Sequence, residues 1–371
     1  MTSTRSGITK SAAKRILPVL LLALGLSCAT TGDQGEGDVN LPNAGVGPFR
    51  KLDFDEVRGI APFVLDEEPA AYREPAVVGD GPSTIMYVVA TRDGKDRIVR
   101  SRATDGRSFF GTSLQFGKKP VVVLSPDAPW EGNALAGPFV LRLDSGELLL
   151  FYAAAGGIGL ARSRDGVAFT KEPRPVFARD PNVLWETTEL RAPTAYVLPN
   201  GKLRMLYASG VSIGEAESAD GRTWTRVDPE PVLGPAAPAP PGYLLPNEKG
   251  PFDTAGVSDP CASARITPSG RFHLRVLYTS LDPSGATTIG LAARYGDSGK
   301  LVRQTSPVYS ANQKEAAPAF VEGSGGTFLY VQQERSNTGL GGKKTTYPAI
   351  AAAFAPANVH LPEPSDFPED P

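Results

Sequence analysis

Residues 193–224 read PTAYVLPNGKLRMLYASGVSIGEAESADGRTW. A short apolar run opens on Pro193. The turn Pro199-Asn200-Gly201 uses residues that accept positive φ. A second strand carrying Tyr207 follows, then Ser212 to Ser218, which ends in the turn Asp220-Gly221 with Trp224 a few positions beyond the Gly. Strand, turn, strand, strand, turn in so short a stretch predicts one antiparallel sheet unit.

The same order of marks occurs five times. The opening runs are Pro75-Ala76-Val77-Val78, Pro138-Phe139-Val140, Pro193-Thr194-Ala195-Tyr196-Val197, Pro260-Cys261-Ala262 and Pro318-Ala319-Phe320-Val321. Their regular spacing is that of an internal structural repeat. Each is followed by a Gly-bearing turn and by a second strand with a Tyr in its later half: Tyr87, Tyr152, Tyr207, Tyr278 and Tyr330. Leu148-Leu149-Leu150-Phe151-Tyr152 is apolar throughout, as a strand covered on both faces should be. Asp105-Gly106, Asp165-Gly166 and Asp220-Gly221 close the third element, with Phe109, Phe169 and Trp224 after them, and Ala292 to Asp297 is a worn fourth version. A Pro-Val pair opens the last run at Pro120, Pro175, Pro231 and Pro307; the fifth repeat has no recognisable copy.

Four strands in about 60 residues, five times over, is the arithmetic of an all-β, five-bladed β-propeller with four-stranded antiparallel blades. A blade apolar on both faces is unstable alone, and stacking blades around an axis buries both faces without a long open edge. The expected blades lie near 68–126, 130–180, 185–233, 251–310 and 312–356, within a propeller spanning 50–360. The Pro-rich stretch from Gly234 reads as a long loop between blades three and four.

The ends read differently. Arg5, Lys10, Lys14 and Arg15 form a basic segment ahead of the apolar run Ile16–Leu26, which is short for a membrane span. Leu24-Gly25-Leu26-Ser27-Cys28 resembles the lipobox of bacterial lipoproteins, which implies a signal peptide over 1–28 and a lipid on Cys28; Gly25 stands where Leu is usual, and ordinary cleavage after Ala29 is the alternative. Residues 29–49 read as a flexible tether and 361–371 as a disordered tail, because neither can bury enough apolar surface to offset its ordering entropy. The expected location is therefore outside the cytoplasm: a lipoprotein of the outer membrane or cell surface, or else a periplasmic or secreted protein.

Acidic side chains outnumber basic ones in the whole chain, 40 to 38, and without the signal segment, which carries four cations and no acid, the net charge becomes about −6. Nucleic acid is not an expected partner, since it calls for a basic stripe. Cys261 would then be the only cysteine, which leaves no intrachain disulfide and reads as a small buried residue. His273 and His360 are too few for a Ser-His-Asp triad or a His-based zinc site. No cofactor is expected, and the chain is expected to be a monomer.

Residues just before each opening Pro should converge at one mouth of the channel. They are Arg73 and Glu74; Trp130, Glu131 and Asn133; Trp185, Glu186, Glu189 and Arg191; Asp253, Ser258 and Asp259; Lys314 and Glu315. Carboxylates, Trp and cations in one pocket suit a sugar, with Trp on the ring's apolar face and Arg and acids on hydroxyls. Glu74 and Asp259 could instead cap turns or pair with Arg73 and Arg191, and Trp130 and Trp185 could be packing residues.

The order of marks resembles that of the five-bladed propellers of glycoside hydrolase family 43 and its relatives, families 32 and 68 and the phosphorylases of family 130. The stretch Ala216-Glu217-Ser218-Ala219-Asp220-Gly221-Arg222-Thr223-Trp224 is the nearest copy of their blade turn, and the likeness covers about residues 60–355. The resemblance implies a carbohydrate-active protein with a glycan or oligosaccharide as partner. Its catalytic base position falls on Glu74, a longer acid than the Asp usual there. Its supporting Asp falls on Thr194 and its acid on Ser258, with Asp259 beside it; Asp259 or Glu189 could substitute as the acid. A glycosidase and a non-catalytic propeller that serves as a binding or interaction module are both compatible with this pattern.

Overall fold

Strands that are apolar on both faces need neighbours on both sides, and the computed structural model supplies them. It describes residues 49–356 apart from 53–62, 68–69, 110–119, 241–249, 268–269, 312–313, 324 and 339–341. The expected signal peptide with Cys28, most of the tether, the tail and much of the Pro-rich loop lie outside the described residues.

Two short strands come first, β1 (Arg50–Lys51) and β2 (Phe63–Leu65). Blade one is β3 (Arg73–Asp80), β4 (Ser83–Arg92), β5 (Lys95–Ala103) and β6 (Val121–Leu124). Blade two is β7 (Ala136–Arg142), β8 (Leu148–Ala154), β9 (Gly157–Ser163) and β10 (Thr170–Lys171). Blade three is β11 (Arg191–Val197), β12 (Leu203–Ser209), β13 (Ser212–Ser218) and β14 (Thr225–Arg226). Blade four is β15 (Gly256–Ile266), β16 (Phe272–Leu281), β17 (Thr287–Tyr295) and β18 (Val302–Arg303). Blade five has β19 (Ala316–Gly323), β20 (Gly326–Thr338) and β21 (Lys344–Pro356) in sequence order. Successive strands pair antiparallel, and the five inner strands β3, β7, β11, β15 and β19 touch in turn, with β19 returning to β3. The chain is a five-bladed β-propeller, with no α-helix among the described residues.

The mark missing from the fifth repeat is explained by closure. The outer strand of blade five comes from the start of the domain: β1 pairs Arg50 with Phe354 and Lys51 with Ala353, and β2 also pairs with β21. A ring sealed by hydrogen bonds between its two chain ends has no seam held by side chains alone. In blades two to four the edge strand is broken in two. After β10, β14 and β18, the Pro-Val runs return to bridge the third strand at Phe177, Leu233 and Tyr309. A Pro is tolerated there because an edge strand has one side with no ladder to complete.

Blade stacking is fastened by the third mark. Tyr87 on blade one meets Phe169 of blade two edge-on at 5.8 Å, Phe151 of blade two meets Trp224 of blade three at 5.8 Å, and Tyr330 of blade five meets Phe109 of blade one at 5.5 Å. Tyr87 and Tyr330 also donate to the carbonyls of Gly166 and Gly106, the turn glycines of the next blade. The Asp of each turn is consumed locally: Asp220 accepts from the amides of Arg222 and Thr223, and Asp165 from those of Val167 and Ala168. The tyrosines are not one set. Register places Tyr87 and Tyr330 opposite Ala76 and Ala319, whereas Tyr152, Tyr207 and Tyr278 sit one position later in the repeat. A one-residue offset moves a side chain to the other face of a strand, so these three have a different task, described below.

Tyr330→Phe keeps the edge-on ring but loses the bond across the closing seam, an expected cost of about 1 kcal/mol. Tyr330→Ala removes both and is expected to cost about 3–5 kcal/mol. Urea unfolding of the two variants against wild type measures the pair.

Candidate functional site

Every inner strand carries a β-bulge at the same level. Register slips between Arg73 and Ala76, Ala136 and Phe139, Arg191 and Thr194, Ser258 and Cys261, and Ala316 and Ala319. The residue before each opening Pro has positive φ: Glu74 at 53°, Gly137 at 49°, Ala192 at 47°, Asp259 at 48° and Ala317 at 49°. Four of the five are not Gly, and such backbone is kept only where its surroundings over-determine it. A bulge re-aims the side chain at its centre, and here five of them converge on the axis. At Gly137 the backbone angle is not the reason for Gly, since Ala192 and Ala317 share it. Space is the reason: a Cβ on Gly137 would lie 2.8 Å from Ala192 Cα.

The bulges leave amides without ladder partners, and side chains from the preceding blade capture three of them. Gln332 Oε1 accepts from the Glu74 amide at 3.2 Å, Glu74 Oε2 from Gly137 at 2.7 Å, and Thr279 Oγ1 from Ala317 at 2.9 Å. Gln332 and Thr279 hold matching register positions, opposite Ala316 and Ser258. Glu74 thus links blades five, one and two around the axis.

Within this ring lies a recess with about 410 Å³ of empty space, part of it open to solvent. Its walls are the five opening prolines, the five bulge residues, and Ala76, Val77, Phe139, Cys261 and Ala319. Glu74 and Asp259 are its two carboxylates. Burial, with the charge of Asp259 and of Asp96 adding to it, pushes the Glu74 carboxyl above its ordinary range, against the Gly137 amide and Arg73, which favour ionisation. Ser258 Oγ donates to Asp259 Oδ2 at 2.8 Å.

The other residues expected at the mouth are placed elsewhere. Glu131 and Glu186 are fully buried and each is clamped inside its own blade. Tyr152 donates to Glu131 at 2.7 Å and Lys171 on β10 pairs with it at 2.8 Å; Tyr207 donates to Glu186 at 2.9 Å and Arg226 on β14 pairs with it at 2.7 Å. Blade four repeats the device: Tyr278 donates to buried Asp253 at 2.9 Å, with Arg303 of β18 at 3.2 Å. Burial opposes ionisation of Glu131, but Lys171, the Ala128 amide, Tyr152 and the Asp127 amide together hold its carboxyl below the usual range. Buried Glu315 accepts from the Ala311 amide at 2.8 Å, with Gln333 Nε2 at 3.4 Å. Trp130 and Trp185 stack on Tyr152 and Tyr207 at 6.0 and 5.7 Å, over Gly159 and Gly214, where any Cβ would collide with both rings. Glu189 is exposed and does not line the recess. Arg73 is bound to Asp96 at 2.7 Å and to Thr91, Arg191 donates to the Gly210 carbonyl, and Lys314 pairs with Glu334. Thr194 is buried and accepts from the Ala262 amide of the next blade.

Of the expected residues, then, Glu74 and Asp259 meet in the recess. The clamp left a signal in the chain that position before the proline does not capture. Glu131 and Glu186 stand at one fixed separation from the Tyr that serves each of them, and at a second fixed separation from the cation, Lys171 or Arg226. Among the described residues no group of three or more His, Cys, Asp or Glu is placed to hold a metal ion.

Comparison with solved structures finds the same architecture at low identity. A glycosyl hydrolase from Bacteroides ovatus superposes with a TM-score of 0.57 at 17% identity, covering 85% of this chain and 98% of that one. A β-1,2-mannobiose phosphorylase from Listeria innocua, solved with β-1,2-mannobiose, gives 0.56 at 13% identity over 84% and 95%. The α-L-arabinofuranosidase PaAbf62A of Podospora anserina, solved with cellotriose, gives 0.53 at 11% identity over 79% and 93%. No family model and no curated protein sequence matches the chain. The shared property is the five-bladed fold.

Two outcomes are expected from the ring. Gly137→Ala should destabilise by about 1–3 kcal/mol in urea unfolding, because Ala192 must move. For Glu74 the sign follows from its raised carboxyl: the native state keeps a proton that the unfolded chain releases at lower pH, so stability is lost as pH rises from the ordinary carboxylate range to the raised value. Glu74→Gln retains the acceptor for Gly137 and stays neutral. Its melting temperature should exceed that of wild type near pH 7, with the gap closing toward about pH 4.

Proposed function

We propose that this chain is a carbohydrate-active protein of the cell envelope that binds a glycan at the axial recess, with Glu74 and Asp259 as the groups that meet it. The observation that carries the reading is the pair itself: two carboxylates on equivalent bulges of different blades, in one solvent-open recess, with surroundings that favour a proton on Glu74. Glycoside hydrolysis requires two carboxylates of which one holds a proton. In the reverse of the roles that the family 43 pattern implies, Glu74 is suited to deliver that proton to a leaving oxygen, and Asp259 to stabilise positive charge at the sugar's anomeric carbon. The solved propellers of the same fold bear the names of enzymes that act on glycosides.

A second reading, a binding module without turnover, is favoured by Thr194 and Ser258. They stand where the family 43 pattern has a supporting Asp and an acid, and both hydroxyls are engaged, Thr194 with the Ala262 amide and Ser258 with Asp259. The proposed lipid at Cys28 is compatible with either.

Aryl glycosides and a panel of oligosaccharides, tested with wild type and Glu74→Gln, separate the readings. An enzyme should lose at least about 100-fold in kcat on losing its acid. A binding module should show calorimetric binding with no turnover by either protein. Absence of both binding and turnover across the panel would overturn the proposal.

A further inference from the structure

The recess is unusual in what it offers a ligand. Five prolines stand at its level, so five backbone positions have no N–H to donate. Three of the neighbouring bulge amides, at Glu74, Gly137 and Ala317, already donate to Gln332, Glu74 and Thr279. The Ser258 hydroxyl is turned onto Asp259. Cations near the mouth are drawn aside: Arg73 onto Asp96, Arg191 onto the Gly210 carbonyl, and Lys314 onto Glu334. The side chains that remain in the wall are two carboxylates among apolar groups, with the Cys261 thiol as a weak donor; the other bulge amides are those of Ala192 and Asp259. With both carboxylates ionised, the side chains of this wall accept hydrogen bonds and supply few. A neutral sugar hydroxyl, which both donates and accepts, would leave half of its capacity unmet in this recess. A protonated amine has three donors and no acceptor; its charge is drawn to Asp259 and, beside Glu74, favours release of the proton that burial holds on that carboxyl.

We infer that the ligand of the recess is a cationic amino sugar, a glycan bearing a hexosamine with a free 2-amino group, its ammonium seated between Glu74 and Asp259. This rests on the proposed glycan-binding role and sharpens it to a substrate class.

The test is calorimetry on the full chain with β-1,4-linked glucosamine oligomers, their fully N-acetylated counterparts of equal length, and a simple diamine, putrescine. Glucosamine oligomers are expected to bind at least about tenfold more tightly than the acetylated ones. Asp259→Asn, whose new residue tolerates the same positive φ, should abolish that preference. Asp144→Asn, a charge removal in an exposed turn at the far end of an inner strand, should leave it intact and so exclude general attraction of a cation to an acidic protein. Melting temperatures confirm that both variants are folded. Equal or tighter binding of the acetylated oligomers overturns the amino-sugar inference and leaves the glycan role standing. Putrescine binding as tightly as the oligomers, with no contribution from the sugar, keeps the cation preference and removes the glycan role. No binding by any of the three overturns both.

Discussion

The constraint beneath everything else is that each blade is apolar on both faces and has to be stacked in a closed ring. Closure is completed twice. At the rim, β1 and β2 lend blade five the outer strand that its own sequence lacks. At the axis, Gln332 of blade five holds the Glu74 amide of blade one, and Glu74 holds Gly137 of blade two. Between rim and axis, edge-on aromatic pairs tie blade five to one, one to two and two to three, and Tyr-to-turn hydrogen bonds reinforce the first two of these joints. The loop-closure entropy of so long a ring is spread over many such contacts, so no single one has to carry it.

The same closure creates the recess. Each inner strand is interrupted at one level. A Pro in each of them removes a ladder donor and is accommodated by a bulge, and the bulge turns the preceding residue toward the centre. Where that residue is Gly or Ala, space is left. Where it is Glu74 or Asp259, a carboxyl group is brought into a site with little else polar. Glu74 holds its position through a backbone amide rather than a cation, which is why burial rather than a partner governs its proton.

The buried carboxylates show how an acid near a channel can be structural. Glu131, Glu186 and Asp253 precede the inner strands, as residues of a channel mouth would, but they stand further ahead of the proline than Glu74 does. Each has a Tyr hydroxyl from the second strand and a cation from the broken outer strand of its own blade. Breaking such a pair by removing one partner strands a buried charge, so these acids are committed to holding the edge of the blade. Trp130 and Trp185 belong to the same device, lying against the clamp's tyrosines.

The fold was legible from the chain alone, because strand, turn and strand are local matters: proline-led runs, glycine turns and two-faced apolar strands recur at intervals that only a ring of blades explains. The absent fourth mark of the fifth repeat was legible too, but not its meaning, since the strand that replaces it comes from the opposite end of the domain and pairing over that distance leaves no local trace. The candidate site was legible in part. Position before the opening Pro put Glu74 and Asp259 on the wall of the recess, because a bulge there is itself a local consequence of the proline. Whether Glu131, Glu186, Asp253 or Glu315 faces the channel or the interior of its blade depends on strand register and on which tyrosine lies within reach. A slip of one position reverses that outcome, and only the packed structure fixes it.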